Sequence, residues 1–415
     1  MIGILRRADP VIAFLPPLLA CASLVLVYSA SSILGLTGHN DPYYFLMRRS
    51  VHLAIGLVAF VALAHYDYRR LVERHAGRAF LAVLALLLVV AALEHGVSSR
   101  GARRWVSLFG ATFQPTEIAR VVVVLFLARY LSRKGEGIRS FAGGFLPALV
   151  VGGLAVVLIA IQPNLSSAGV LFGVVLAMLY FGGARAVHLL GVLALGAAGF
   201  LAMLAKFDYQ RERVMSFLSF LFTGRLDTLG SGWQLDQSLI ALGSGGLFGR
   251  GYGRSLQKFL FLPDPHTDFI LAIVGEEGGY LAAGGLVLAL VVLLARGYRT
   301  AFRATDDLGF LLAAGITTQL ACYTFVNTGV ATGLFPTTGL PLPFISYGGS
   351  ALVMNLAAAG ILVNISARQA EARVRVVSES GPGSASLAGT LGSRRKARPA
   401  PFGAVGARGF AGGRR

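Results

Sequence analysis

Runs of roughly 18 to 25 apolar residues, long enough to cross a bilayer as helices, recur along this 415-residue chain with short polar segments between them. The pattern predicts ten spans, at about 11–33, 50–66, 77–94, 115–131, 143–161, 165–183, 187–205, 268–295, 306–328 and 344–366. The expected fold class is all-α: a polytopic membrane protein of about ten transmembrane helices, with a large extracytoplasmic loop, 206–267, between the seventh and eighth. The chain then divides into a cytoplasmic N-terminus, 1–10, a membrane domain, 11–366, and a basic tail, 367–415, disordered from about Ser378. The first run is longer than the apolar core of a signal peptide and lacks a convincing cleavage site, so it reads as a retained span.

Composition agrees. Hydrophobic residues make up 55% and charged residues 13%, the latter about half the usual globular share. Cys21 and Cys322 both lie inside apolar runs and read as small packing residues. A formal charge of +18 would suit nucleic acid, but the distribution excludes that partner. Arg69, Arg70, Arg74 and Arg78, then Arg129, Arg133, Lys134 and Arg139, then Arg296, Arg299 and Arg303, fall on one side of the spans together with the tail. That is the positive-inside pattern, and it places both termini in the cytoplasm of a multi-pass plasma-membrane protein. The tail cluster Arg394-Arg395-Lys396-Ala397-Arg398 reads as a solvated basic segment or an anionic-lipid contact.

Polar groups beside the spans bear on function. Asp268 closes the stretch Pro263-Asp264-Pro265-His266-Thr267-Asp268-Phe269 at the mouth of the eighth span. A carboxylate there persists when it pairs, faces water or does chemistry; the plain alternative is a helix cap from Thr267 or Asp268. Glu276 would stand about 12 Å further along the same helix and near the same face, with Glu277 turned away. Pairing with a basic residue is the expectation for Glu276. Gln114-Pro115-Thr116-Glu117-Ile118-Ala119-Arg120 opens a helix at its proline. Glu117 and Arg120 share a face there, where they either neutralise each other or serve a site. Arg103, Arg104 and Trp105 add cations and an interfacial aromatic just outside. Gln162-Pro163-Asn164 repeats the helix opening, with Asn164 as a cap.

Two further outward segments stand out. A glycine-rich run, Gly245 to Arg254, carries Arg250 and Arg254 and is followed by Lys258. Glycine lets backbone approach a ligand, and arginine forks onto phosphate oxygens. The run from Pro336 through Ser346 to Ser350 holds three prolines and cannot be regular helix; at membrane depth it must be buried in protein or line a cavity. An outward carboxylate, several arginines and a broken segment suit an amphiphilic, anionic, phosphate-bearing substrate. No metal-ligand spacing is visible, so no protein-bound metal or cofactor is evident.

These residues resemble the SEDS family (shape, elongation, division and sporulation proteins), which includes FtsW, RodA and SpoVE. The resemblance runs over about 11–366. It is carried by Gly101-Ala102-Arg103-Arg104-Trp105, Phe113-Gln114-Pro115-Thr116-Glu117, Gln237-Ser238-Leu239-Ile240-Ala241, His266-Thr267-Asp268-Phe269, Gly275-Glu276-Glu277 and Gly339-Leu340-Pro341-Leu342-Pro343-Phe344-Ile345-Ser346-Tyr347-Gly348-Gly349-Ser350. It implies a ten-span peptidoglycan glycosyltransferase that polymerises lipid II into β-1,4-linked strands at the outer face of the plasma membrane. The implied partners are a class B penicillin-binding transpeptidase and other divisome membrane proteins. The family's essential aspartate falls on Asp268, and its fourth-span Glu and Lys on Glu117 and Arg120. Substrate contacts are expected at Arg103, Arg104, Trp105, Glu117, Arg120, Arg254, Lys258, His266 and Ser346, with a divalent cation (Mg or Mn) carried on the substrate pyrophosphate. Three departures stand out: Arg120 replaces a usual lysine, Asn164 a common aspartate, and Asp264-Pro265 a usual Glu-Ala. Ser255-Leu256-Gln257-Lys258 and Pro336-Thr337-Thr338-Gly339-Leu340-Pro341 resemble the division branch more than the elongation branch. The alternatives are a RodA-like elongation polymerase, a lipid II flippase or transporter, and a scaffold for the transpeptidase.

Overall fold

The computed structural model describes residues 7–92, 97–99, 102–108, 111–224 and 232–379; the Arg394 cluster lies outside them. Helices begin where the sequence supplies starters. Asp9 caps α1 (Pro10–His39), its carboxylate accepting from the Val11 amide at 3.0 Å, with proline in the first turn. Asp306 does the same for α11 (Asp307–Ala331) through Gly309. Between them run α2 (Tyr44–His65), α3 (Tyr68–Ala92), α4 (Pro115–Lys134), α5 (Leu146–Ile161), α6 (Leu165–Phe181), α7 (Ala186–Lys206), α8 (Asp208–Thr223), α9 (Trp233–Gly245) and α10 (Ile270–Phe302). The last helix is α12 (Gly349–Glu379).

Among the described residues eight helical segments are long and apolar enough to cross a membrane. The expected fourth span is α4, which carries Glu117, Arg120, Arg129, Arg133 and Lys134, and the expected sixth is α6, of 17 residues. The segment 206–267 is not a plain loop, since it folds two helices, α8 and α9, before α10. The fold is all-α as expected, with one small addition between α3 and α4. There β1 (Val97–Ser99), β2 (Ala102–Leu108) and β3 (Ala111–Phe113) form an antiparallel sheet in the order β1-β2-β3, with Val97 opposite Trp105 and Val106 opposite Phe113.

The chain divides at Ala370/Glu371 into a compact membrane unit and a separate C-terminal one. At the centre of the first stand α11 and α12, 72% and 83% buried over their spans, whereas α7 is 6% buried and lies at the rim. The helix α11 packs on α4, α6 and α10, while α10 also meets α1 and α9. Polar side chains tie α12 into place. The Asn364 amide donates to the Ala64 carbonyl at 2.7 Å, and that of Gln369 to the Thr300 carbonyl at 2.7 Å.

Residues 332–348 run without helix between α11 and α12, as three prolines require. Inside an apolar protein their carbonyls need donors. Arg49, 1% exposed, supplies one set: Nη2 donates to Phe344 O at 2.7 Å and Ile345 O at 3.2 Å, and also to Ser23 Oγ at 2.8 Å. The hydroxyl of Ser346 supplies another contact, accepting from the Leu342 amide at 2.8 Å. Arg49→Met fills similar space but removes the donors. It should destabilise the protein by about 3 to 5 kcal/mol, read as a lowered thermal midpoint in detergent; an unchanged midpoint would contradict the assigned role.

Candidate active site

Asp268 lies in a turn directly before α10, not within it. The alternative of a helix cap from Thr267 or Asp268 is not seen at the N-cap position, which Phe269 occupies with no side-chain cap bond. The eight-residue helical step to Glu276 therefore does not hold. What fixes Asp268 is Asn327 of α11. Its Nδ2 donates at 2.8 Å to the Asp268 carbonyl and at 2.8 Å to the Leu340 carbonyl, stapling the turn to the broken segment. Gly339, with φ of 76°, comes so near that a Cβ there would stand 3.5 Å from Asp268 Oδ2. Gly339 is exposed and Asp268 half-buried, so the carboxylate sits at an accessible edge. Arg213 of α8 reaches the same edge and donates to the Thr337 carbonyl at 3.1 Å.

His266 is buried between Phe45 and Tyr347, ring centroids 4.7 and 5.1 Å away. Its carbonyl accepts from the Tyr347 amide at 2.8 Å, which joins the turn to the broken segment a second time. Burial pushes the imidazole down from 6.5 to about 4, against an opposing pull from Asp264. His266 is thus neutral at physiological pH, with Nδ1 buried and without a hydrogen-bond partner.

The other two carboxylates of α10 serve a different end. Glu276 accepts from Ser255 Oγ, from the Leu256 amide at 2.9 Å and from the Gln257 amide at 3.3 Å, and stands 3.6 Å from Arg250. The expected basic partner is therefore Arg250. Glu277 does not turn away. It accepts from Ser29 Oγ at 2.6 Å and pairs with Lys258 Nζ at 3.3 Å. Just beyond, α10 breaks at Gly279 (φ 72°), where a Cβ would stand 2.3 Å from the Leu247 carbonyl oxygen. The glycine-rich run thus lies directly on the helix backbone and is bolted there by two buried carboxylates.

Several expected substrate contacts change character. Lys258, 6% exposed, spends its ammonium on Gly253 O, Glu277 and Ser29, so it faces inward. Ser346 is 3% exposed and closes a turn. Glu117 and Arg120 are both buried and pair at 2.6 Å. Arg120 also donates to Asn355 Oδ1 at 2.7 Å and covers the Tyr323 ring at 4.4 Å. The pair braces α4 against α11 and α12. Asn164 holds the N-cap position of α6 but makes no cap bond. Arg254 remains exposed. Arg103, Arg104 and Trp105 belong to β2 by their backbone, and their side chains lie outside the described residues. Sequence reasoning missed Arg49, Asn327 and Arg213. Asn327 lies inside a predicted span and Arg49 one residue before another, and a polar group at such a position is itself a signal of function.

The comparisons with known proteins agree with one another. Residues 10–371 match the cell cycle protein family model of FtsW, RodA and SpoVE. The probable peptidoglycan glycosyltransferase FtsW of Geobacter metallireducens is 38% identical over 364 residues, covering 88% of this chain and 96% of that protein. Stage V sporulation protein E of Bacillus subtilis is 38% identical over 360 residues, with 86% and 96% covered. A chain of a peptidoglycan synthase complex superposes with a TM-score of 0.70 at 28% identity, covering 87% of this chain and 98% of its own. The rod shape determining protein RodA of Thermus thermophilus superposes at 0.62 with 29% identity, covering 86% and 96%.

Two measurements check the site. Glu277→Ala strands the Lys258 ammonium and should cost about 3 to 5 kcal/mol. The double replacement Lys258→Met with Glu277→Leu should recover most of that loss; thermal midpoints that fall further in the double variant would contradict the pairing. Because folding depresses the His266 pKa, its contribution is present above pH 6.5 and is lost as pH falls toward 4. That loss is on the order of 3 kcal/mol, and His266→Phe should flatten the fall in thermal midpoint across that window.

Proposed function

This chain belongs to the cell cycle protein family of FtsW, RodA and SpoVE, and from that premise we propose that it is a peptidoglycan glycosyltransferase that polymerises lipid II. The observation that carries the reading is the placement of Asp268. One carboxylate stands at an accessible edge, held from behind by Asn327 and beside the exposed backbone of Gly339. That is where a general base must stand to meet an acceptor hydroxyl.

The reaction joins the acceptor sugar oxygen to the anomeric carbon of the donor and breaks the bond from that carbon to the polyprenyl diphosphate. The acceptor proton passes to Asp268, and the diphosphate leaves with the bonding electrons. Displacement from the opposite face inverts the donor's anomeric centre and yields the β-linkage. Cations must meet the leaving diphosphate. The exposed Arg254 and Arg213, which donates to the Thr337 carbonyl, are the described candidates, and Arg103 and Arg104 the further ones. Among the described residues no three His, Cys, Asp or Glu side chains gather as a metal cage. We therefore treat a divalent ion as part of the substrate, bound through the diphosphate oxygens, and route no step through a protein-held metal. Neutral His266, buried between Phe45 and Tyr347, supports the turn that carries Asp268.

The multi-pass chain sits in the plasma membrane with both termini cytoplasmic, the orientation that the basic loops favour, so the site faces outward. Relatives named FtsW favour a role in septal wall synthesis over a RodA-like role in elongation. The likeness to a chain of a peptidoglycan synthase complex supports a class B penicillin-binding transpeptidase as partner.

Glycan strands made from labelled lipid II, resolved on a gel with and without the candidate transpeptidase, test the reading. Asp268→Ala should reduce polymer by about 10²- to 10⁴-fold at unchanged thermal stability, and Asp268→Asn should do the same. Near-normal strands from either variant, or transbilayer movement of lipid II without elongation by the native protein, would overturn it.

A further inference from the structure

At the opposite end of the molecule, away from Asp268, the α3–α4 pair carries a feature that the proposed chemistry does not use. Arg70, Arg74 and Arg78 recur every fourth residue along α3 and are exposed. Like charges at this spacing repel. Their only relief among the described residues is a hydrogen bond from Arg78 back to the Arg74 carbonyl at 3.1 Å. Two more cations, Arg129 and Arg133 of α4, lean across to α3. Both meet a single carboxylate, Glu73, with Arg129 at 3.6 Å. The nearby Asp67 and Asp306 are already paired with Arg368 and Arg69. Among the described residues, Arg129 and Arg133 thus share one carboxylate, and no ion pair to Arg70, Arg74 or Arg78 accompanies it.

The position of this excess charge says what it meets. Arg74, Leu81 and Leu88 are seven residues apart, a spacing that keeps side chains on nearly one helix face. Leu81 is 68% exposed and Leu88 58% exposed, on a helix apolar enough to span a membrane. The apolar stripe that faces acyl chains thus runs straight into the arginines at the level of the headgroups. Guanidinium forks match phosphate oxygens in pairs, and basic pockets between spans at the cytoplasmic side suit phosphate headgroups.

We infer that the end of the α3–α4 pair bearing Arg70, Arg74, Arg78, Arg129 and Arg133 is a binding site for an anionic phospholipid, its headgroup phosphates in the arginine cluster and its chains along Leu81 and Leu88. Cardiolipin, with two phosphates, matches the charge and is the probe.

The test titrates the purified full chain in detergent with fluorescent cardiolipin, against phosphatidylcholine as the neutral comparison. Arg70→Gln, Arg74→Gln and Arg78→Gln combined should weaken cardiolipin binding by about a hundred-fold at low salt, with an unchanged thermal midpoint. A tail variant with Arg394→Gln, Arg395→Gln, Lys396→Gln and Arg398→Gln should bind as the native chain does. Glu73→Gln, which removes the one opposing carboxylate, should tighten binding several-fold and serves if the triple variant does not fold. Unchanged affinity in the triple variant, loss of binding in the tail variant, weaker or equal binding after Glu73→Gln, or equal affinity for phosphatidylcholine would each overturn the site.

Discussion

Backbone that is not helical cannot sit inside an apolar protein with its carbonyls unpaired. That constraint organises the end of this molecule that holds Asp268. The prolines between α11 and α12 break the helix, and the freed carbonyls at Leu340, Phe344 and Ile345 must find donors. Asn327 and Arg49 supply them from neighbouring helices. Because Asn327 also donates to the Asp268 carbonyl, the residue that satisfies the broken segment is the one that sets the place of the carboxylate. Structure and chemistry are joined in one side chain.

The three carboxylates near the start of α10 then divide by environment. Glu276 and Glu277 are almost fully buried and accept from backbone amides, hydroxyls and Lys258. A buried carboxylate with that many donors is committed to holding structure. Here it clasps the glycine-rich run onto a helix whose kink at Gly279 admits it. Asp268 lies outside the helix, half-buried, beside a glycine that leaves room next to its oxygen. The carboxylates thus differ in burial within eight to nine residues of chain.

Much of this was legible in the sequence. The helices were, since apolar run length measures the bilayer, and so was the position of Asp268 at the mouth of a span. The broken segment could be read from Pro336, Pro341 and Pro343. What could not be read depends on contacts between residues far apart in sequence. Lys258 has the composition of a phosphate contact, yet Glu277 and Ser29 draw it inward. Asp268 stands at a helix start but one residue too early to cap it. The segment after α7 carried packing residues such as Phe217 and Trp233, but its local pattern did not distinguish helix from loop, and α8 and α9 emerged only in the fold. Arg49 and Asn327 were hidden because a polar residue in or beside a span announces a role without naming its partner.

The central claim is that the Asp268 carboxylate takes the proton of the acceptor hydroxyl, and it is tested most directly by the structure of the protein with a non-hydrolysable lipid II analogue and an acceptor glycan bound. The account expects the acceptor hydroxyl within about 2.6 to 3.2 Å of an Asp268 oxygen, with the donor diphosphate on the far side of the anomeric carbon. An acceptor bound elsewhere, with Asp268 turned from it and no water between them, would contradict the account.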